Sequence, residues 1–81
     1  MSKTVTIEYF ALLREARGCA REKRETDAAT PRVLYGDLRA RFRLPISAEA
    51  MRVAVNGAFA SWDVPLHDND TVAFIPPVAG G

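Results

Sequence analysis

The 81-residue chain has one cysteine and one histidine, and almost no excess charge of either sign. A lone cysteine, Cys19, excludes an internal disulfide framework and suits a reducing compartment. It begins a candidate strand with no histidine nearby in sequence, which favours a structural thiol over a nucleophile. The lone histidine, His67, sits in a polar turn without a second histidine or cysteine at ligand spacing, so a solvated turn residue outweighs a metal ligand and no metal site is expected. Eleven basic against ten acidic residues leave a net charge of +1, which offers no general attraction to nucleic acid or to an anionic membrane. No apolar run approaches the roughly 20 residues of a membrane span. The opening "MSKTVTIEYF" alternates instead of forming a signal-peptide core, so the expected location is the cytoplasm.

What is present is a single small domain. A hydrophobic content of 48% with 26% charged residues is that of a folded chain, not a disordered one. In "TVTIEYF" (4–10), Val5, Ile7 and Tyr9 fall on one face and Thr4, Thr6, Glu8 and Phe10 on the other, the pattern of a half-buried strand. "ALLREARG" predicts a short helix, with Leu12, Leu13 and Ala16 at helical spacing and Gly18 placed to stop it. "CAREKRETD" (19–27) alternates weakly and is mostly charged, as suits an edge strand. Thr30 as N-cap and Pro31 at the first helical position open a second, main helix. Its apolar stripe is Leu34, Leu38 and Phe42 with Val33 beside it, and Pro45 is expected to end it. "RVAVNGAFASW" (52–62) predicts a hairpin through a two-residue type I′ turn at Asn56-Gly57. "TVAFI" (71–75) is the last strand, with Val72 and Phe74 on one face and Ala73 and Ile75 on the other. The economical fold is α+β: a mixed sheet with one main helix packed on one face.

Side chains offer little chemistry. Asp63, Asp68 and Asp70 match neither a calcium loop nor an acid/base pair, and turn structure accounts for them. Arg14, Arg17, Arg21, Lys23 and Arg24 form a locally basic segment interleaved with Glu15, Glu22 and Glu25. A solvated surface is its default reading, and a patch for an acidic partner is the lesser one.

Attention therefore moves to "TVAFIPPVAGG", an uncharged stretch from a candidate buried strand to Gly80-Gly81. Pro76 and Pro77 favour extended geometry and would project the arm, with Val78 and Ala79 continuing it. Glycines lack side chains, so Gly80 and Gly81 would enter a narrow tunnel and present an unhindered α-carboxylate. A carboxylate is a poor electrophile, and a reaction there requires activation by a partner enzyme as an acyl phosphate or acyl adenylate.

Size, element order and this tail resemble the β-grasp, ubiquitin-like sulfur carriers. Within them, "YFALLREARG" and "VAVNGAFASWDVPLHDNDTVAFIPPVAGG" are similar to the MoaD-type small subunits of molybdopterin synthase. The resemblance covers about the first 18 and the last 30 residues; residues 19–51 are less typical. It implies a β-grasp domain over residues 1–75 and an extended tail over 76–81. It further implies that an E1-like adenylyltransferase, using Mg-ATP, adenylates the Gly81 carboxylate. A sulfur donor enzyme then supplies sulfur to give a thiocarboxylate. The tail, Pro76 to Gly81, would thread into the large synthase subunit and donate sulfur to cyclic pyranopterin monophosphate, making the molybdopterin dithiolene. The usual assembly is a heterotetramer with catalytic side chains on the large subunit, and no cofactor is expected on this chain. A carrier for the thiamine thiazole or for tRNA thiolation is the nearest alternative; a ubiquitin-like interaction module or modifier without sulfur chemistry is another.

The face pattern adds a partner surface. If Val5, Ile7, Tyr9, Val53, Val55, Val72 and Phe74 line the core, Phe10 and Ile75 point away from it, and Phe59 is expected to join them. Three large apolar groups beside the reactive end would form a docking patch. Ordinary surface apolarity is the competing explanation.

Overall fold

The computed structural model describes residues 2–77. Val78, Ala79, Gly80 and Gly81, which the sequence assigns to the threading tail and its reactive carboxylate, lie outside the described residues.

Alternation carries the first strand, β1 (Lys3–Tyr9), in which Val5, Ile7 and Tyr9 are all buried as expected. A short helix α1 (Leu12–Arg17) follows and ends at Gly18. The φ of +82° at Gly18 lets its N–H cap the Arg14 carbonyl. Of the predicted apolar face of α1 only Leu13 is buried; Leu12 and Ala16 are exposed. The charged strand β2 (Arg21–Thr26) pairs antiparallel with β1 and has no other neighbour, which makes it an edge, as its composition requires.

The main helix α2 (Pro31–Phe42) opens where expected, with the Thr30 hydroxyl accepting from the Val33 N–H at 3.3 Å. Its buried face departs from the predicted stripe: Tyr35 is buried beside Leu34 and Leu38, whereas Val33 is half exposed and Phe42 is only partly buried. The reason is a polar handle, since the Tyr35 hydroxyl donates to the Ile46 carbonyl and its ring lies 5.0 Å from that of Phe74. The helix also stops before Pro45 takes effect. Arg43 adopts a left-handed conformation, φ 53°, and its N–H caps Arg39.

A 3₁₀ turn (Ala48–Ala50) leads to the hairpin of β3 (Arg52–Val55) and β4 (Ala58–Ala60). Asn56 and Gly57 have φ of 52° and 87°, the sign that a type I′ turn demands at both central positions. The final strand β5 (Thr71–Ile75) lies between β1, to which it is parallel, and β3, to which it is antiparallel. The sheet order is therefore β2-β1-β5-β3-β4, with α2 over the face bearing Val5, Ile7, Val53, Val72 and Phe74. This mixed five-stranded sheet under one main helix is the ubiquitin-like β-grasp.

The start of β5 is tied down by side chains. Asp70 is buried, and its carboxylate accepts from Asn56 Nδ2 at 2.9 Å and from the His67 N–H at 2.8 Å. Asn56 in turn accepts from the Thr71 N–H at 2.9 Å. The hairpin turn thus holds the first residue of the last strand. Burial raises the Asp70 pKa, but these donors outweigh it and leave the carboxyl below its ordinary value.

Candidate functional site

Strands β1 and β5 end together, with Tyr9 across from Phe74, and β3 begins beside them with Arg52 across from Ile75. The chain leaves the sheet here. Pro76 is buried and Pro77 is exposed, so the arm emerges one residue later than its two prolines alone suggest. Phe10 and Leu12 flank it and, with Ala11, Ile75, Pro76 and Pro77, shape an apolar groove of about 620 Å³. Among the described residues, Glu15 is its one charged lining residue.

The wall of this groove is a tight turn. The Leu13 N–H donates to the Phe10 carbonyl at 3.1 Å, and Ala11 between them has φ 52° and ψ −125°. Those angles are the first central position of a type II′ turn, where glycine is the comfortable residue. An alanine there costs on the order of 1–3 kcal/mol, which the surrounding packing must offset. One buttress is Leu13, the residue that closes the turn, which is fully buried.

The second is the far end of α1. Arg17 makes a two-pronged contact with Glu22 of β2, at 2.9 Å through Nε and 2.8 Å through Nη2. The Tyr9 hydroxyl donates to the same carboxylate at 2.6 Å, and Arg17 Cζ lies 3.7 Å from the centre of the Phe42 ring. One cluster therefore joins β1, α1, β2 and the end of α2. Burial and the neighbouring Glu22 push the Tyr9 phenol well above its ordinary value. Burial alone would raise Glu22, but the bonds from Tyr9 and Arg17, with the charges of Arg17 and Arg24, bring it below the ordinary carboxylate value. Both groups are locked in one protonation state near neutrality, which suits scaffolding and not proton transfer.

Of the apolar patch expected from sequence, Phe10 (46% exposed) and Ile75 share the groove. Phe59 (62% exposed) does not line it. It sits on the edge strand β4, separated from β5 by Ala54, which pairs with Phe59 on one side and Ala73 on the other. Arg52 spans the gap, with Cζ 4.4 Å from the centre of the Phe59 ring while its backbone lies opposite Ile75. Sequence reasoning had no reason to single out Ala11, Leu12, Glu15 or Arg52. The one available signal was a helix start with no capping side chain, which calls for an unusual turn.

The remaining candidates do not line the groove among the described residues. Cys19 is half-buried against the core. His67 is 76% exposed at the opposite end of β5, its Nδ1 3.9 Å from Asp70 Oδ2. Among the described residues no three His, Cys, Asp or Glu side chains gather as metal ligands would, and no helix is long and apolar enough to cross a membrane.

Comparison with known proteins agrees with this architecture. The ThiS family model matches residues 7–81. The chain is 35% identical over 80 residues to the molybdopterin synthase sulfur carrier subunit of Escherichia coli (strain K12), covering 95% of this chain and 99% of that one. Among solved structures, the small archaeal modifier protein 1 (SAMP1) from Methanosarcina acetivorans superposes with a TM-score of 0.81 at 20% identity, over 100% of this chain and 99% of its own, a likeness of fold. A protein-protein complex of subunits 1 and 2 of the molybdopterin-converting factor from Helicobacter pylori 26695 matches with a TM-score of 0.64 at 24% identity, over 96% of this chain and 99% of the matched one.

Proposed function

The chain belongs to the ThiS family, and on that premise we propose that it is the sulfur-carrier subunit of a molybdopterin synthase. The observation that carries this reading is the 35% identity to the E. coli carrier, which spans nearly the whole of both chains. The groove at the root of the arm supports it, because an apolar surface there gives a partner something to grip while the tail enters its active site.

The chemistry resides in the Gly81 carboxylate. One carboxylate oxygen attacks the α-phosphorus of Mg-ATP on an E1-like adenylyltransferase, and pyrophosphate leaves. A sulfur nucleophile from a donor enzyme attacks the acyl carbon of the adenylate and AMP departs. With a persulfide as that nucleophile the product is an acyl disulfide, and attack of a second thiol on the donor's sulfur releases the Gly81 thiocarboxylate and leaves a disulfide between that thiol and the donor. The tail from Pro76 to Gly81 then threads into the large subunit. There the sulfur passes to cyclic pyranopterin monophosphate, and water restores the carboxylate. This chain supplies the arm, the docking groove bearing Phe10 and Ile75, and the neighbouring Phe59. The acid/base side chains belong to the large subunit, and two copies of each subunit form the assembly.

The test is intact mass spectrometry after incubation with an activating enzyme, Mg-ATP and a sulfur source. The expected change is the exchange of one oxygen for one sulfur, absent from a chain lacking Gly81. The sulfur-loaded chain should then convert cyclic pyranopterin monophosphate when mixed with a large subunit. An unchanged mass overturns the reading. So does covalent attachment of the chain to lysines of other proteins without sulfur gain, which is the outcome for a protein modifier.

A further inference from the structure

The near-zero net charge of the chain hides an uneven distribution. Arg21 and Arg52 start β2 and β3 at the end where the arm leaves, and Arg14 and Arg17 lie on α1 just after β1. The same end receives the close of α2 with Arg41 and Arg43, placed by the contact between Phe42 and Arg17. Acidic groups gather at the other end. Asp27 follows β2, and Asp68 and Asp70 precede β5, with Asp68 accepting from the Thr4 N–H at 2.7 Å at the start of β1.

Two of the carboxylates at the basic end are engaged, whereas Glu15, exposed in the groove lining, makes no ion pair among the described residues. Glu22 is held by Arg17 and Tyr9, and Glu8 lies 3.8 Å from Arg21. Arg14, Arg41, Arg43 and Arg52 form no ion pair among the described residues. Arg41 and Arg43 have a local role, since cations complement the dipole at a helix C-terminus. Arg52 has none of that kind. It is exposed, it starts a strand, and it stacks on Phe59 at the join between that ring and the groove. Stacking fixes the plane of a guanidinium while leaving its edge donors free for a carboxylate.

We propose that the arm-bearing end, with Arg52 at the join between the groove and Phe59 and Arg14 on α1, recognises a protein surface with an apolar centre and an acidic rim. The proposal rests on the sulfur-carrier reading, because it describes how the enzymes that handle the tail are met. An apolar centre with an arginine rim is the layout of a protein interface, in which the centre holds and the charges steer. A phosphate backbone would use the arginines and leave the groove wet.

The experiment measures association of the full chain with the large synthase subunit and with the activating enzyme by stopped flow, from about 50 mM to about 500 mM salt. For the wild type, the on-rate should fall about tenfold or more over that range. Arg14→Glu/Arg52→Glu should lower the low-salt on-rate about tenfold, flatten the salt dependence and leave the off-rate nearly unchanged. Ile75→Asp should do the reverse, raising the off-rate while the salt dependence persists, and circular dichroism should show both variants folded. Wild-type binding whose on-rate ignores salt, or is untouched by the double reversal, overturns this inference and leaves the sulfur-carrier reading standing. Failure of the wild type to bind either enzyme overturns both. Equal capture of a labelled single-stranded oligonucleotide, lost in the double reversal, would show a general polyanion site and also overturn it.

Discussion

Replacing Asp70 with alanine removes the acceptor for Asn56 Nδ2 and the His67 N–H and leaves both donors facing a poorly hydrated hole. Hydrogen bonds to a charged group contribute about 1.5–3 kcal/mol each, and relief of the carboxylate's own burial offsets part of the loss, so about 3 kcal/mol is expected. For 81 residues the unfolding entropy near the midpoint is about 170 cal/mol/K, which converts that loss into a drop of roughly 18 °C in Tm. Asp70→Asn keeps the shape and one acceptor and should lose about half as much. Acid separates the two further. The folded-state pKa of Asp70 is lowered, so its contribution is complete above the unfolded value and disappears as pH falls through the folded one. The gap between wild type and Asp70→Asn should therefore close below about pH 4. Differential scanning calorimetry over a pH series is the assay. A Tm change under about 5 °C for Asp70→Ala, or a gap that widens in acid, would refute the clamp at the head of β5. Below both midpoints, sulfur loading at Gly81 should proceed as in the wild type, since the clamp and the arm lie at opposite ends of the strand.

Two further outcomes probe the root of the arm. Ala11→Gly should stabilise the protein by about 1 kcal/mol, because relief of the strained φ exceeds the added backbone entropy of glycine; a lowered Tm would show that Ala11 carries no strain. Glu22→Gln should cost about 1–2 kcal/mol at neutral pH by weakening its bonds to Tyr9 and Arg17. Because Glu22 titrates below its ordinary value, that contribution is present above the unfolded pKa and lost as pH falls through the folded one. Thermal melts of the variant should converge on the wild type in acid, and parallel curves would refute the assignment.

Most of the fold was legible because its local signals agree with one another. The alternation of β1, the Thr30-Pro31 helix start and the Asn56-Gly57 turn each have a single physical solution, and each appears where expected. Tyr35 was missed because its burial depends on a carbonyl eleven residues away, which no helical periodicity encodes. The site was legible in part. Phe10 and Ile75 follow from strand phase, but the partition between them and Phe59 depends on strand order, with β3 inserted between β5 and β4. Ala11 was invisible because its strain is imposed by tertiary packing, against the preference of alanine itself.

The parallel pairing of β5 with β1 has a consequence for biogenesis. Thr6 meets Thr71 and Tyr9 meets Phe74, contacts between the two extremes of the described chain. Such pairings are entropically slow to close, and without them the sheet lacks its middle strand. A nascent chain therefore has no groove until its last strand has docked. On the proposed function, folding and the presentation of the arm would become one event, and an enzyme gripping the groove would sample only chains that have finished folding.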